Sequence, residues 1–277
     1  MRPVLFKIGS FSLRAWGVMM AISVLVSTFI ALKRAGRFGL KKDIIYDLVI
    51  IVVLTSIIGS RLFYVVFHLD EFRGQWFDII NPFHGPGGFG IAGLSMMGGV
   101  VFVIIAVFIY GKIKKIEFAR LGDVIAPTFL LGAGITRIGC FLNGCCYGRP
   151  TTSWWGVNFP DGAAGEFLNH YLRLNPDVGI TGLIPTQLMA SLLGFIGFFL
   201  VLWLEKWHRF IGYSSWLVLA YYSCDRFFVD QFRTYETEQI LGYIGPVMIT
   251  VNEVVLIGLF ILSAYMFVRG MLKSKAI

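Results

Sequence analysis

Seven long apolar segments constrain this chain more than any other feature. They run Ala15–Leu32, Ile44–Phe67, Ile91–Tyr110, Val124–Leu142, Thr186–Leu204, Tyr213–Val229 and Ile244–Val268. Each approaches or exceeds the roughly 17 to 25 residues that carry a helix across a bilayer. In hydrocarbon every backbone N–H and C=O must be satisfied within the protein, so such segments fold as helices. Charged residues make up only 14% of the 277, against about 25% in a soluble domain. The sequence therefore predicts an all-α integral membrane protein with about seven transmembrane helices. Residues 1–277 read as a single polytopic membrane domain, with outer loops near 68–90 and 143–183. The first twenty residues carry scattered charges and no small-residue cleavage site, so the first segment is expected to stay in the protein.

The lysines set the expected orientation. Nine of the ten lie in KRAGRFGLKK, GKIKKIEFAR, EKWHRF and the C-terminal tail, and only Lys7 lies elsewhere. Positive residues favour the cytoplasmic side, which puts the N-terminus outside and the C-terminus inside. The net charge of +8 then faces anionic lipid, and no nucleic acid is needed to explain it. The outer loops are rich in Trp, Phe, Gly, Pro and Asn, as suits a membrane interface.

Three arginines sit where an apolar chain should not place them. Arg61, Arg137 and Arg226 lie in or at the outer ends of apolar segments. An arginine at a helix centre costs about 2.5 to 3.5 kcal/mol on insertion scales. Near an end it can snorkel, or it can pair with Asp225, Asp230 or Glu253. All three fall on the outer half, opposite the lysines, and intramembrane ionisable groups mark functional sites. A guanidinium fork suits a phosphate, and lipid phosphate is the anion at that depth. The glycine clusters GAGITRIG and SMMGG fit close helix packing or a backbone break lining a cavity.

The stretch RIGCFLNGCCYGRP, Arg137 to Pro150, resembles the signature of the prolipoprotein diacylglyceryl transferase family, approximately G-R-x-G-N-F-x-N-x-E-x-x-G-R. Arg137, Gly139, Phe141, Asn143, Gly148 and Arg149 match it. Other pieces follow the family's order along nearly the whole chain. IIGSRLFYVVFH carries Arg61 and Tyr64, GLSMMGG carries Gly98 and Gly99, and IPTQL falls in a His-Pro-Ser-Gln-Leu-like run. DRFFVDQFR matches through Arg226 and Arg233, with Asp230 for the usual glutamate.

The resemblance implies a bacterial multi-pass protein of the cytoplasmic (inner) membrane. Its partners would be phosphatidylglycerol, the signal-peptide and lipobox region of a prelipoprotein, and the bilayer. The lipobox thiol would attack a glyceryl carbon, glycerol phosphate would leave, and a thioether to diacylglycerol would remain. Arg137 and Arg226 are the expected catalytic pair at the phosphate. Arg61, Tyr64, Gly98, Gly99, Gly139, Cys140, Asn143, Gly148, Arg149 and Arg233 are the expected substrate-binding set. No cofactor is implied.

The chain departs from the family at its proton acceptors. Met97 stands where the family has a histidine, Cys140 where it has asparagine and Cys145 where it has glutamate. Trp16 replaces a tyrosine of the first segment, and Ile184 a histidine. His68 and His84 are candidate substitute bases in the first outer loop, and His170 and His208 are weaker ones. The spacing C-x₄-C-C of Cys140, Cys145 and Cys146 is not a common zinc spacing, so no metal is expected. A disulfide on the oxidising side and small buried residues both stay open. Cys224 reads as a core residue. The competing functions are a same-fold paralogue with another acceptor and a non-catalytic phospholipid-binding membrane protein. A transporter fits less well, since the chain has no internal repeat and no line of acidic residues through the spans.

Overall fold

Two short strands, β1 (Val4–Ile8) and β2 (Phe11–Arg14), lead directly into helix α1 (Ala15–Ala35). The computed structural model describes residues 3–8, 11–74, 76–79, 93–159, 162–207, 209–235 and 239–275. After α1 come α2 (Lys42–Phe67), α3 (Met96–Lys114) and α4 (Phe118–Asn143). A non-helical stretch then holds β3 (Pro150–Thr151), α5 (Gly162–Leu174) and β4 (Gly182–Leu183). The chain closes with α6 (Thr186–Leu204), α7 (Tyr213–Asp230), the strands β5 (Ile240–Ile244) and β6 (Val247–Thr250), and α8 (Val251–Lys275).

Among the described residues six helices are long and apolar enough to cross a membrane: α1, α2, α3, α4, α6 and α8. The expected count of seven is therefore met only in part. The remaining segment is helical, but α7 holds Asp225, Arg226 and Asp230 within its eighteen residues. Two boundaries also differ from the apolar runs. The third helix starts at Met96 rather than Ile91 and runs on through Lys112 and Lys114. The last starts at Val251, because Ile244 belongs to a hairpin whose register runs from Ile240 opposite Thr250 to Ile244 opposite Val247.

The chain divides into two compact units. The smaller holds the later part of α1 with α2 and α3. Its centre is a crossing of small residues. A Cβ added to Gly98 would lie 2.2 Å from the Phe63 Cβ and 2.4 Å from the Gly59 carbonyl oxygen. A Cβ on Gly99 would lie 2.5 Å from the Ser60 hydroxyl. In lipid, where apolar transfer supplies no attraction between helices, such close approach is what holds them together. At the other end Tyr110 donates to Asp47 Oδ2 at 2.7 Å, and Lys114 lies 3.7 Å from the same oxygen. Gly98→Ala is expected to lower stability by about 1–3 kcal/mol, since backbone must move to admit the methyl. The thermal midpoint of the detergent-solubilised protein checks this, and an unchanged midpoint would show that the crossing is loose.

The larger unit holds the N-terminal part of α1 and everything from Gly122 onward. Ser23 and Ser27 on α1 donate to the Gly132 and Thr128 carbonyls of α4 at 2.9 and 3.0 Å. Ser191 on α6 donates to the Gly134 carbonyl at 2.8 Å, where Gly194 also lets the backbones meet. Tyr221 on α7 fills the space left by Gly197 and donates to the Leu193 carbonyl at 2.7 Å. Asp123, buried, accepts the Gly212 N–H at 2.6 Å and the Ser215 N–H at 2.9 Å, closing the N-terminal end of α7. Glu253 Oε2 accepts the Thr250 N–H at 2.8 Å and the Thr250 hydroxyl as well, the glutamate half of a capping box at the start of α8.

The second expected outer loop is a small folded cap. β3 pairs antiparallel with β4, and Val157 bridges to Leu183. Phe159, Ala164, Leu168 and Leu183 are buried together, with Phe141 and Tyr147 packed against them. Burial pushes the Tyr147 hydroxyl above its ordinary pKa. The amphipathic α5 thus gives residues 144–185 a core of their own.

Candidate active site

Asp230 organises the polar centre of the larger unit. It is fully buried on α7, with Arg226 one helical turn before it. The i,i+4 spacing puts both on one face, and Arg226 Nη2 lies 3.1 Å from Asp230 Oδ1. Just past the helix end, Arg233 Nη1 comes within 3.7 Å of the same oxygen. Asn252 of α8 donates to Oδ2. Two guanidiniums thus share one carboxylate in a shielded place, and their remaining N–H donors are of the kind that suits a phosphate. Arg137 reaches in from α4, with Cys140, Cys146, Tyr222 and Asp230 in its electrostatic surroundings. Among the described residues, Arg233 Nε and Asp225 Oδ1 are buried without a hydrogen-bond partner.

Backbone contacts lock this centre to the turn that follows α4. Gly148 bridges to Arg233, and the Arg149 N–H donates to the Phe232 carbonyl at 2.9 Å. The Arg149 guanidinium donates to the Gln231 carbonyl. A Cβ on Gly148 would meet the Phe232 carbonyl oxygen at 2.6 Å, so the approach needs glycine. Gln231 in turn brackets Met248, donating to its carbonyl at 3.1 Å and accepting its N–H at 2.9 Å.

The turn itself carries the cysteines. α4 ends at Asn143; Gly144 and Cys146 then take positive φ, +68° and +60°. Gln187 donates to the Cys145 carbonyl and Thr186 to the Cys146 carbonyl, both at 2.8 Å, and both side chains are buried. Held this way, the Sγ atoms of Cys140, Cys145 and Cys146 lie within 4.8 Å of one another, and all are free thiols. Hydrogen bonds from Cys140 and Cys145 hold the Cys146 thiol below its ordinary pKa, and the Arg233 and Arg137 guanidiniums add to this against the cost of burial.

Comparison with known proteins bears on what this centre is. The family profile described as prolipoprotein diacylglyceryl transferase matches residues 3–269. The chain belongs to this family. A phosphatidylglycerol–prolipoprotein diacylglyceryl transferase of Listeria monocytogenes serotype 4a is 31% identical over 239 residues, covering 84% of this chain and 79% of its own. One so named, with the number 1, from Clostridium perfringens is 33% identical over 236 residues, covering 84% of each chain. A third, from Bacillus cytotoxicus, is 31% identical over 262 residues, covering 94% of this chain and 88% of its own.

In this member of the diacylglyceryl transferase family, the sequence-predicted residues fall into two groups. Arg137, Gly139, Cys140, Asn143, Gly148, Arg149, Arg226 and Arg233 all belong to the larger unit. Asn143 is the last residue of α4, directly before the turn that carries Cys145 and Cys146. Gly139 lies against α1, where an added Cβ would meet Met19 at 2.9 Å and the Trp16 Cα at 3.2 Å. The backbone of Trp16, in the place of the family's tyrosine, therefore lies against the signature helix. Ile184 packs on Gly148, and its N–H donates to the Arg149 carbonyl at 3.0 Å.

Arg61, Tyr64, Gly98, Gly99 and Met97 belong to the smaller unit. Arg61 donates to the Ile79 and Gly93 carbonyls at 2.9 and 3.2 Å and lies over the Phe72 ring, tying down the loop after α2. Tyr64 donates to Glu71 Oε2 at 2.9 Å and stacks on His68 at 4.1 Å between ring centroids. Gly98 and Gly99 are used in the crossing of α2 and α3. Met97 is exposed on the first turn of α3. His68 Nδ1 lies 3.0 Å from the Tyr64 carbonyl oxygen, which can only accept, so this ring leaves Nε2 as the acceptor. His170 is exposed on α5. His84 and His208 lie outside the described residues. Cys224, expected in the core, is exposed on α7.

Sequence reasoning offers Asp230 as one of three carboxylates that could pair with the arginines, and it misses Asn252. Asp230 contacts both Arg226 and Arg233. Asn252, its third contact, lies beyond the apparent end of the motif.

Proposed function

We propose that this chain transfers a diacylglyceryl group from phosphatidylglycerol to the lipobox cysteine of prelipoproteins, at the outer face of the bacterial cytoplasmic membrane. The observation that carries the reading is the guanidinium cluster of Arg137, Arg226 and Arg233 around Asp230, built from segments that match the family. Arg137 and Arg226 hold the lipid phosphate, and Asn143 orients the head group. The acceptor sulfur attacks the glyceryl carbon, the carbon–oxygen bond breaks, and the phosphate oxygen takes the electron pair. The guanidiniums stabilise that growing charge in a site fixed before the substrate arrives. The test is complementation of a strain depleted of its own transferase, with mass analysis of the lipoprotein product. Release of glycerol phosphate without modified lipoprotein would assign another acceptor. Lipid binding without release would assign a non-catalytic role.

The orientation of this reading, N-terminus outside and C-terminus cytoplasmic, requires α7 to cross. Eighteen helical residues rise about 27 Å, close to the roughly 30 Å hydrocarbon core. Reporters fused at Arg37, Lys114 and the C-terminus are expected to read cytoplasmic, and one at Gly165 outside. A cytoplasmic reading at Gly165 would remove the cap from the outer leaflet and with it the proposed site.

Met97 implies slow transfer. A general base is worth roughly 10² to 10⁴ in rate, and the acceptor thiol, with pKa about 8.5, is only partly ionised at neutral pH. Transfer to a lipobox peptide is therefore expected to accelerate from pH 7 toward 8.5 as solvent supplies thiolate. Met97→His is expected to recover part of the rate and flatten the profile. A profile flat in the wild type would show that the thiol proton is already handled by the enzyme.

A further inference from the structure

We propose that Cys140, Cys145 and Cys146 form a three-thiolate site for one thiophilic divalent ion of the zinc type, with its fourth position open. The spacing in sequence argued against a metal, because C-x₄-C-C is not a common ligand pattern. The fold removes that objection. The turn at Gly144 brings the last two cysteines back to the one on α4, and the three Sγ atoms come within 4.8 Å of one another. Zinc–sulfur bonds of about 2.3 Å in tetrahedral geometry set sulfurs about 3.8 Å apart, so little closure is needed.

Two further features favour a ligand set over a chance meeting of small residues. Cys146 holds a left-handed backbone that few non-glycine residues adopt. Thr186 and Gln187, both buried, fix the carbonyls of Cys145 and Cys146, so the turn that carries two of the thiols is rigid. Outer contacts that orient ligands in this way are half of a metal site's construction. The charge also balances. Three thiolates and a divalent cation leave one negative charge, and two guanidinium residues adjoin the turn: Arg137 precedes Cys140 by three residues on α4, and Arg233 bridges Gly148, two residues after Cys146.

Three protein ligands leave one tetrahedral position, as in catalytic rather than structural zinc sites. A thiol that coordinates there is deprotonated outright. Resting on the transfer reading above, the external ligand of this position is the acceptor cysteine. Its proton goes to water on binding, and its sulfur keeps a lone pair for the glyceryl carbon. With the ion bound the site then supplies the thiolate that Met97 cannot, so the rise in transfer from about pH 7 to 8.5 belongs to the metal-free protein.

Cobalt(II) titration of the full-length protein in detergent, without oxidant, tests this. Thiolate-to-cobalt absorption is expected to rise to one ion per chain and to be displaced by zinc. Cys140→Ser, Cys145→Ser and Cys146→Ser should each weaken binding by more than the 10- to 100-fold that loss of an outer-shell contact costs. Cys224→Ser should bind as the wild type does. Thiol counting on the wild type guards against variants that fail to fold, since zinc should protect three of its four cysteines. Cobalt absorption without thiolate bands, bands that persist in Cys145→Ser, or a disulfide among the three in anaerobically prepared protein would overturn the site. Adding a lipobox peptide should shift the bands, and its Cys→Ser counterpart should not. No shift would overturn the acceptor assignment. Transfer is scored separately by peptide mass, so failure of the metal site leaves the transferase reading standing.

Discussion

Arg137→Lys is expected to lower transfer to a lipobox peptide by about 10² to 10³, the cost of losing one aimed donor to a developing oxyanion. The charge survives this change, so a residue that merely snorkelled would tolerate it. What is lost is the planar fork, with its five donors in fixed directions, in favour of a mobile point charge. Arg137 is placed where that difference matters. It stands within electrostatic reach of Asp230, Cys140 and Cys146 and belongs to the same centre as Arg226. The loss should fall on kcat more than on KM, since phosphate charge grows most as the carbon–oxygen bond breaks. Wild-type kcat in Arg137→Lys would remove Arg137 from the phosphate and reduce it to an anchor at the membrane interface.

Asp230→Ala is expected to be the most destabilising single change in the larger unit, by about 3–5 kcal/mol. That is the penalty for breaking a buried ion pair and leaving its partners uncompensated. Here two guanidiniums, Arg226 at 3.1 Å and Arg233 at 3.7 Å, would lose one shared carboxylate. The Asn252 amide would lose its acceptor as well. Asp230→Asn keeps the volume but not the charge and should recover little. Asp230→Glu keeps the charge and should recover more. Thermal unfolding of the solubilised protein reads this directly. Equal midpoints for wild type and Asp230→Ala would mean that water or lipid already neutralises the arginines.

The membrane helices were legible because hydropathy over twenty residues is a strong signal. It reports contact with lipid, however, and not the helix itself. For that reason the third helix runs past its apolar stretch into Lys112 and Lys114, whose long stems can lie along the helix while the ammonium groups reach water. The end of β5 and all of β6 fall inside the last apolar run because Ile244, Val247 and Ile249 are apolar. Gly242 and Gly245 were the local sign of a turn there. Thr250 followed three residues later by Glu253 marked the true start of α8.

The arginines of the site could be picked out because each breaks an apolar run. Asp230 could not be ranked above Asp225, since both lie beside Arg226 in sequence and only packing buries one against two guanidiniums. The meeting of three thiols was equally hidden. It depends on positive φ at Gly144 and Cys146 and on carbonyls held by residues some forty positions away.

α7 also governs how the molecule is made. Asp225, Arg226 and Asp230 burden it, and charged residues at a helix centre cost about 2.5 to 3.5 kcal/mol each on the insertion scale. Released alone from the translocon, such a segment has little reason to stay in lipid. Among the described residues its polar groups meet Asp123 of α4 and Leu193 of α6, both already synthesised, and Asn252 of α8, still inside the ribosome when α7 emerges. The contact of Asn252 with Asp230 is therefore the one described part of the arginine centre that waits for α8 to be made. A chain truncated before Asn252 would carry the whole family signature and still lack the amide that steadies Asp230 between its two arginines.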